Sequence, residues 1–503
     1  MPNPLHDALF APLASQDRPF LTLADGSTVS ASAFYAQVSR FAHGLRAAGL
    51  STGDRVAVRA AKTPQMLALY GAAVMAGVVF LPLNTAYTPD ELDYFVTDCS
   101  AKLLLVDPDQ IDALTPLATR LGLRLESIGP GGSFDALCAG FAQPFPVTDR
   151  APDDLAALLY TSGTTGRSKG AMMSHQNLLS NARTLVDLWQ FTSDDVLLHA
   201  LPIFHTHGLF VASNVVLLSG AQMLFLPKFD PDTVFALLPQ ATSMMGVPTF
   251  YTRMLSDPRL TREATAHMRL FISGSAPLLA ETHRDWSART GHAILERYGM
   301  TETNMLTSNP YTGARRPGTV GPPLPDVRLR ITDPETGADL PQGATGMIEV
   351  QGPNVFQGYW NMPEKTAAEF RDGWFMTGDL GLIDDQGYVS IVGRAKDLII
   401  SGGYNVYPKE VELVLDEMPG VLESAVIGLP HPDLGEAVVA VLASETAGPD
   451  IAAIKAALTG KLARYKQPRA YITLDELPRN TMGKVQKAAL RQTYAHYFKE
   501  ETP

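Results

Sequence analysis

Between Thr161 and Lys169 the chain reads TSGTTGRSK, a run of glycines and hydroxyl residues closed by a lysine. Gly163 and Gly166 free the backbone to turn amides towards an anion, Thr161, Ser162, Thr164 and Thr165 add hydroxyl donors, and Lys169 adds a positive charge. That set suits phosphate oxygens. It is not a Walker A loop, because Gly170 follows the lysine where Ser or Thr is needed and the glycine spacing differs. Alone, a Gly/Ser/Thr segment is more often a plain surface turn. Four further clusters follow in order: ERYGMTET at 296–303, MTGDLG around Asp379, GRAKDLIISGGYNVYP from 393, and PRNTMGKVQK around Lys484.

The elements that must hold these residues can be read from pattern. LAALLYT before the loop and GAMMS after it read as strands, and HQNLL begins a helix with Ser174 as its N-cap. Through the first two-thirds, short apolar runs (RVAVRA, KLLLVD, MRLFISG) alternate with helical patterns such as PQMLALYGAAVMAG, which predicts an α/β architecture with largely parallel sheets. From 318 to 394 short strand-like runs between turn signals predict a β-rich subdomain. After Lys396 the pattern restarts with PKEVELVLDE, ESAVIGLP, AVVAVLAS and IAAIKAALTGKLA, which predicts a second, small α+β domain. The expected division is therefore 1–394, containing the 318–394 subdomain, and 395–503.

Composition narrows the function. A chain of 503 residues, 46% hydrophobic, can bury more than one core, and a net charge of -12 argues against a broad nucleic-acid or anionic-membrane surface. Cys99 and Cys138 are too few for a disulfide framework and lack the close spacing of a zinc or redox pair. The first twenty residues lack a basic segment followed by an unbroken apolar one, and VVLLSGAQMLFLP is interrupted by Ser219, Gly220 and Gln222. These features predict a soluble cytoplasmic protein.

The five clusters together, in this order, resemble the motifs of the adenylate-forming superfamily, which contains acyl-CoA synthetases, adenylation domains of peptide synthetases and firefly-type luciferases. The resemblance spans essentially the whole chain. It implies ATP, magnesium and coenzyme A as reaction partners, with ATP gripped by Thr161, Ser162, Gly163, Thr164, Thr165 and Lys169. It places Tyr298 against adenine, Thr301 at the α-phosphate, Glu302 on magnesium, and Asp379 and Arg394 on the ribose, with Ser275, Ala276 and Glu296 in the same nucleotide site. Lys484 becomes the late lysine that enters for adenylation, Lys396 the hinge of a mobile C-terminal domain, and Gly402, Gly403 and Tyr404 the face that receives pantetheine. Lys484 would also be the target of a lysine acetyltransferase and deacetylase, since acetylation removes its charge.

Around the acyl group the informative residues are polar. HTHGLF carries His205, Thr206 and His207, GVPTFYTR carries Arg253, SGSAP carries Ser275, and ERYGMTETNM carries Arg297 and Met305. A buried arginine needs an anion, and a short dicarboxylate brings one more than a fatty acid does. The combination resembles the malonate-activating ligases of the superfamily. By that resemblance Arg253 and Ser275, with Arg297, hold the distal carboxylate, His205 serves the reaction, and Thr206 and Met305 border the α-carbon and limit its substituents. Ligation of another short-chain or aromatic acid, and a non-catalytic nucleotide-binding role, remain the alternatives.

Overall fold

The computed structural model describes residues 2–161, 168–444, 448–480 and 484–498. Two largely parallel sheets form the greater part of it. One has eight strands, whose six central members run parallel in the order Leu295–Met300, Leu270–Ser273, Ser243–Gly246, Val196–His199, Gln222–Phe225 and Pro19–Thr22, with an antiparallel strand at each edge. The other has six, of which Arg124–Ser127, Leu103–Val106, Arg55–Arg59, Val79–Pro82 and Leu155–Thr161 are parallel and Lys169–Ser174 closes the edge antiparallel. Strands such as Leu103–Val106 and Leu270–Ser273 are buried along their whole length, as expected where helices cover both faces. The helix Pro64–Ala76 is apolar all round and lies inside the core, starting at an N-cap Thr63 and ending at Gly77 in the left-handed region.

Strands from Arg328 to Arg394 form a separate five-stranded antiparallel sheet, and those from Ile399 to Leu474 form a mixed five-stranded one, in which Ala470–Leu474 pairs parallel to Gly435–Ala443, with its own apolar clusters. The alternation read from the sequence thus corresponds to parallel sheets, the turn-rich stretch to an antiparallel one, and the restart after Lys396 to a small α+β domain. Among the described residues no helix is long and apolar enough to cross a membrane.

Ligands of open α/β sheets bind beyond the carboxyl ends of the strands. Here both parallel sheets send those ends to one place. Thr161 ends its strand in the six-stranded sheet, while Gly274, Ser275, Thr301 and Glu302 directly follow strands of the eight-stranded one. The antiparallel strand Val389–Arg394, with Arg479, Asn480 and Lys484, completes the surround.

Candidate active site

A cavity of about 670 Å³ opens at that meeting point. Its walls include Thr161, Lys169, His205, Thr206, Ser275, Arg297, Thr301, Glu302, Met305, Arg394, Lys396 and Lys484, twelve of the residues singled out from the sequence. Ser162, Gly163, Thr164 and Thr165 lie outside the described residues. Both flanks of their loop are fastened. Tyr160 hydrogen-bonds the Asp98 carboxylate on one side, and on the other the Tyr94 hydroxyl donates to Ser168 O (2.6 Å). Ser174 caps the following helix by accepting from Asn177 N, and Ser174 N donates in return to Asn177 Oδ1.

Lys169 sits 4.1 Å from the centroid of the Tyr359 ring and 3.5 Å from Glu369 Oε1. The Tyr359 hydroxyl donates to Glu302 Oε1 (2.9 Å), so one tyrosine bridges the phosphate-loop lysine and the buried glutamate. The segment carrying Tyr359 also holds Glu302 by its main chain, through Phe356 N to Glu302 O (2.8 Å). Burial raises the Glu302 pKa, a penalty that a cation at this carboxylate would relieve. Among the described residues no group of three or more His, Cys, Asp or Glu is placed to hold a metal. A single carboxylate beside a phosphate site fits magnesium, which keeps waters and takes phosphate oxygens as its remaining ligands.

Asp379 is pinned between two partners: Arg394 Nε approaches its Oδ1 at 2.6 Å and the Tyr298 hydroxyl donates to its Oδ2 (2.5 Å). Lys484 reaches the cavity wall from the C-terminal domain and is accessible there. Its loop is closed by Asn480 N donating to Lys484 O (2.9 Å) and Lys484 N donating to Asn480 Oδ1 (3.0 Å). Partial withdrawal from water, with Arg394 nearby, lowers its pKa.

The other end of the cavity is a buried polar cluster. His207 Nδ1 lies 3.1 Å from Ser275 Oγ, and Ser275 takes a strained left-handed conformation (φ 71°) to be there. Arg297 is 3% exposed. Its Nε and Nη2, together with His205 Nδ1, Thr206 Oγ1 and His207 Nε2, find no hydrogen-bond partner among the described residues. Burial lowers the pKa of His205 to about 3 and that of His207 well below its usual value, so both rings are neutral at pH 7. Burial also lowers the Arg297 pKa, to about 9, and the guanidinium keeps its charge at neutral pH.

Several assigned residues are not brought to the cavity. Arg253 is exposed on the helix Pro248–Leu255 and does not line it. The apolar face of that helix, with Tyr251 and Met254, is the buried one, and the arginine falls on the other. Glu296 precedes Arg297 on one strand and so points to the opposite face, where its Oε1 accepts from Leu278 N (3.3 Å). Ala276 is half-buried and is not part of the wall. Gly402 and Gly403 form the exposed two-residue turn between Ile399–Ser401 and Tyr404–Val406, both at positive φ (58° and 81°), a hairpin geometry that favours glycine by itself. The Tyr404 ring stacks on Tyr465 (centroids 4.8 Å apart), also away from the cavity.

Sequence reasoning passed over Tyr359, Lys62 and His199. The last two form a pair of a half-buried lysine and a buried histidine below the polar cluster: Lys62 Nζ donates to His199 O (2.7 Å) and lies 3.0 Å from His199 Nδ1, while His199 Nε2 is 2.9 Å from Gly208 O. Because a carbonyl only accepts, Nε2 carries the proton and Nδ1 accepts from Lys62. Gly208 lies in the π-helical turn His207–Ser213. A lone lysine in AKTP gave no signal of this.

The family model of AMP-binding enzymes matches residues 11–360, and that of the AMP-binding enzyme C-terminal domain matches residues 410–484. The chain is 37% identical to an indoleacetate--CoA ligase of Aromatoleum aromaticum over 92% of this chain and 93% of the relative, and 36% identical to a malonate--CoA ligase of Arabidopsis thaliana over 88% and 79%. The crystal structure of ATP-bound MatB from Rhodopseudomonas palustris superposes with a TM-score of 0.96 at 59% identity, covering 99% of this chain and 100% of the other. The apo form of MatB superposes with a TM-score of 0.85 at 59% identity, so the chain as a whole is nearer the ATP-bound form. With both family models matched in order and relatives aligned over about nine-tenths of its length, the chain belongs to the AMP-binding enzyme family, as an ATP-dependent acid:CoA ligase.

Proposed function

We propose that the acid is malonate and that the product is malonyl-CoA. The observation that carries this reading is Arg297, a buried guanidinium with two unpartnered nitrogens at the acyl end of the cavity. An uncompensated buried charge costs several kcal/mol, and an acid bearing a second carboxylate supplies the missing anion where acetate or benzoate does not. Neutral His207, Ser275 and Thr206 add hydrogen-bonding groups without further charge, which matches one distal carboxylate. Met305 and Thr206 then border the carbon between the two carboxylates. The malonate--CoA ligases among the relatives support the reading, and the indoleacetate--CoA ligase at similar identity shows why it needs a test.

In the first half-reaction one malonate carboxylate oxygen attacks the α-phosphorus of ATP, the bond to the bridging oxygen of the β-phosphate breaks, and pyrophosphate leaves. Charge gathers on the phosphates as this happens. Lys169 and Lys484, both in the cavity wall, supply positive charge, and Glu302 would hold a magnesium ion that offsets the charge of the leaving pyrophosphate. Thr301 donates to the α-phosphate, and Asp379, oriented by Tyr298 and Arg394, accepts from the ribose hydroxyls. In the second half-reaction the thiol of coenzyme A, losing its proton, attacks the acyl carbon and AMP departs. For this the C-terminal domain turns about Lys396 and brings Gly402, Gly403 and Tyr404 to the site, a role consistent with their position away from the cavity here.

The test is AMP release with coenzyme A present, for malonate, methylmalonate, succinate, acetate, benzoate and indoleacetate at equal concentrations. Malonate should exceed acetate and benzoate in kcat/KM by at least about thirtyfold, from roughly 2 kcal/mol or more for a buried charge-assisted pair. Preference for benzoate or indoleacetate would replace the malonate reading with an aromatic one.

A further inference from the structure

Gly274 follows the strand Leu270–Ser273, and its N–H donates to Gly246 O (3.3 Å) on the neighbouring strand. Its φ lies outside the left-handed region, so the backbone there does not require glycine. The space around it does. A Cβ at Gly274 would lie 2.4 Å from Arg297 Cζ, 2.5 Å from Nη1 and 2.6 Å from Nε. Elsewhere near the site a Cβ meets backbone: at Gly299 it would lie 1.8 Å from Asn304 O, and at Gly208 2.0 Å from Pro202 O. Those glycines are needed for the fold to close. At Gly274 the atoms that must yield are the far end of one flexible side chain, and they must retreat by about 1 Å to reach ordinary contact distance.

We propose that the missing side chain at Gly274 fixes where the Arg297 guanidinium sits, and thereby makes residue 274 a determinant of selectivity for an acid with a distal carboxylate. The proposal rests on the malonate reading above. Gly274 touches no reacting atom and acts through Arg297, as a positioning residue. A methyl group at this point moves the guanidinium and redirects both unpartnered donors, while the strand and its hydrogen bond to Gly246 stay as they are. A distal carboxylate loses its partner. An apolar tail of equal length loses nothing.

The experiment is the ratio of kcat/KM for malonate to kcat/KM for butyrate in the parent, Gly274→Ala, Arg297→Ala and the double variant, with thermal unfolding of each. A misplacement of this size lowers the ratio in Gly274→Ala by roughly ten- to hundredfold. In the Arg297→Ala background the added methyl changes the ratio by less than about twofold, because the side chain it displaces is gone. An unchanged ratio in Gly274→Ala, or an equal fall with and without Arg297, overturns the proposal. If Arg297→Ala alone leaves the ratio unchanged, the malonate reading through Arg297 fails as well; if Arg297→Ala lowers it and Gly274→Ala does not, only the role of Gly274 fails. Should Gly274→Ala not fold while the double variant does, the clash with Arg297 is confirmed, and if neither folds the proposal is wrong.

Discussion

At the scale of single residues, Glu296 and Arg297 are neighbours on one strand with opposite fates. Arg297 faces the cavity, whereas Glu296 is buried on the other face, where desolvation raises its pKa to about 8. The folded chain therefore keeps the Glu296 proton from its ordinary value near 4.5 up to about 8, while the unfolded chain releases it. With more protons bound in the folded state, stability falls as pH rises through that window. Glu296→Gln removes the dependence, so its melting temperature relative to the parent should rise by at least about 3 °C between pH 5 and pH 8. A difference that stays flat with pH would show that Glu296 is ionised in place. None of this was legible beforehand: ERYGMTET gave both residues as site candidates, and only the register of the strand decides which side chain faces the cavity. Arg253 shows the same limit, since a helix of eight residues could be recognised in PTFYTRML without knowing how far its charged face lies from the acyl end.

Among elements, the π-helical turn His207–Ser213 brings His207 to the polar end of the cavity, and it is held from below by His199, which accepts a hydrogen bond from Lys62. π-turns interrupt regular helix pairing and persist where surrounding contacts fix them. Lys62→Met keeps the bulk of the side chain near Phe225 but removes the donor to His199. We predict a fall in kcat/KM for malonate of about tenfold or more, the ATP KM changing by less than about threefold, because the turn borders the acyl end and the nucleotide is held by other strands. Equal changes in both constants would mean a general loss of folding. The strands and long helices were readable because apolar period and caps are local properties: RVAVRA, the helix in PQMLALYGAAVMAG and the Ser174 cap all appear where pattern put them. The π-turn was not, because LPIFHTHGLF has no period of its own and its Gly208 carbonyl is met by His199, whose partner Lys62 is far away in sequence.

On the mechanism proposed above, the whole molecule stands at the first half-reaction. Lys484 reaches the cavity while Gly402, Gly403 and Tyr404 do not, and the chain as a whole superposes better on ATP-bound than on apo MatB. Lys484→Ala should abolish adenylate formation yet retain transfer from supplied malonyl-AMP to coenzyme A, since its charge serves the phosphates and not the thiol. Parallel loss of both steps would contradict this. Lys396→Pro should do the reverse, because Lys396 lies in a short 3₁₀ turn whose φ proline can adopt, and a fixed φ hinders the backbone change that rotation needs. Bound adenylate measured before the steady state distinguishes the two variants. The order of the motifs made this two-step scheme readable from sequence, while the orientation a folded chain would take was not, since it depends on contacts between domains that no single motif encodes.

What the enzyme acts on is decided at the acyl end, and the direct measurement compares two arginines. The ratio of kcat/KM for malonate to that for butyrate is determined in the parent, Arg297→Met and Arg253→Met. The account predicts a fall of at least about thirtyfold for Arg297→Met, from roughly 2 kcal/mol or more for the lost charged pair, and a change below about twofold for the exposed Arg253. A ratio untouched by Arg297→Met, or one that falls only with Arg253→Met, would contradict it.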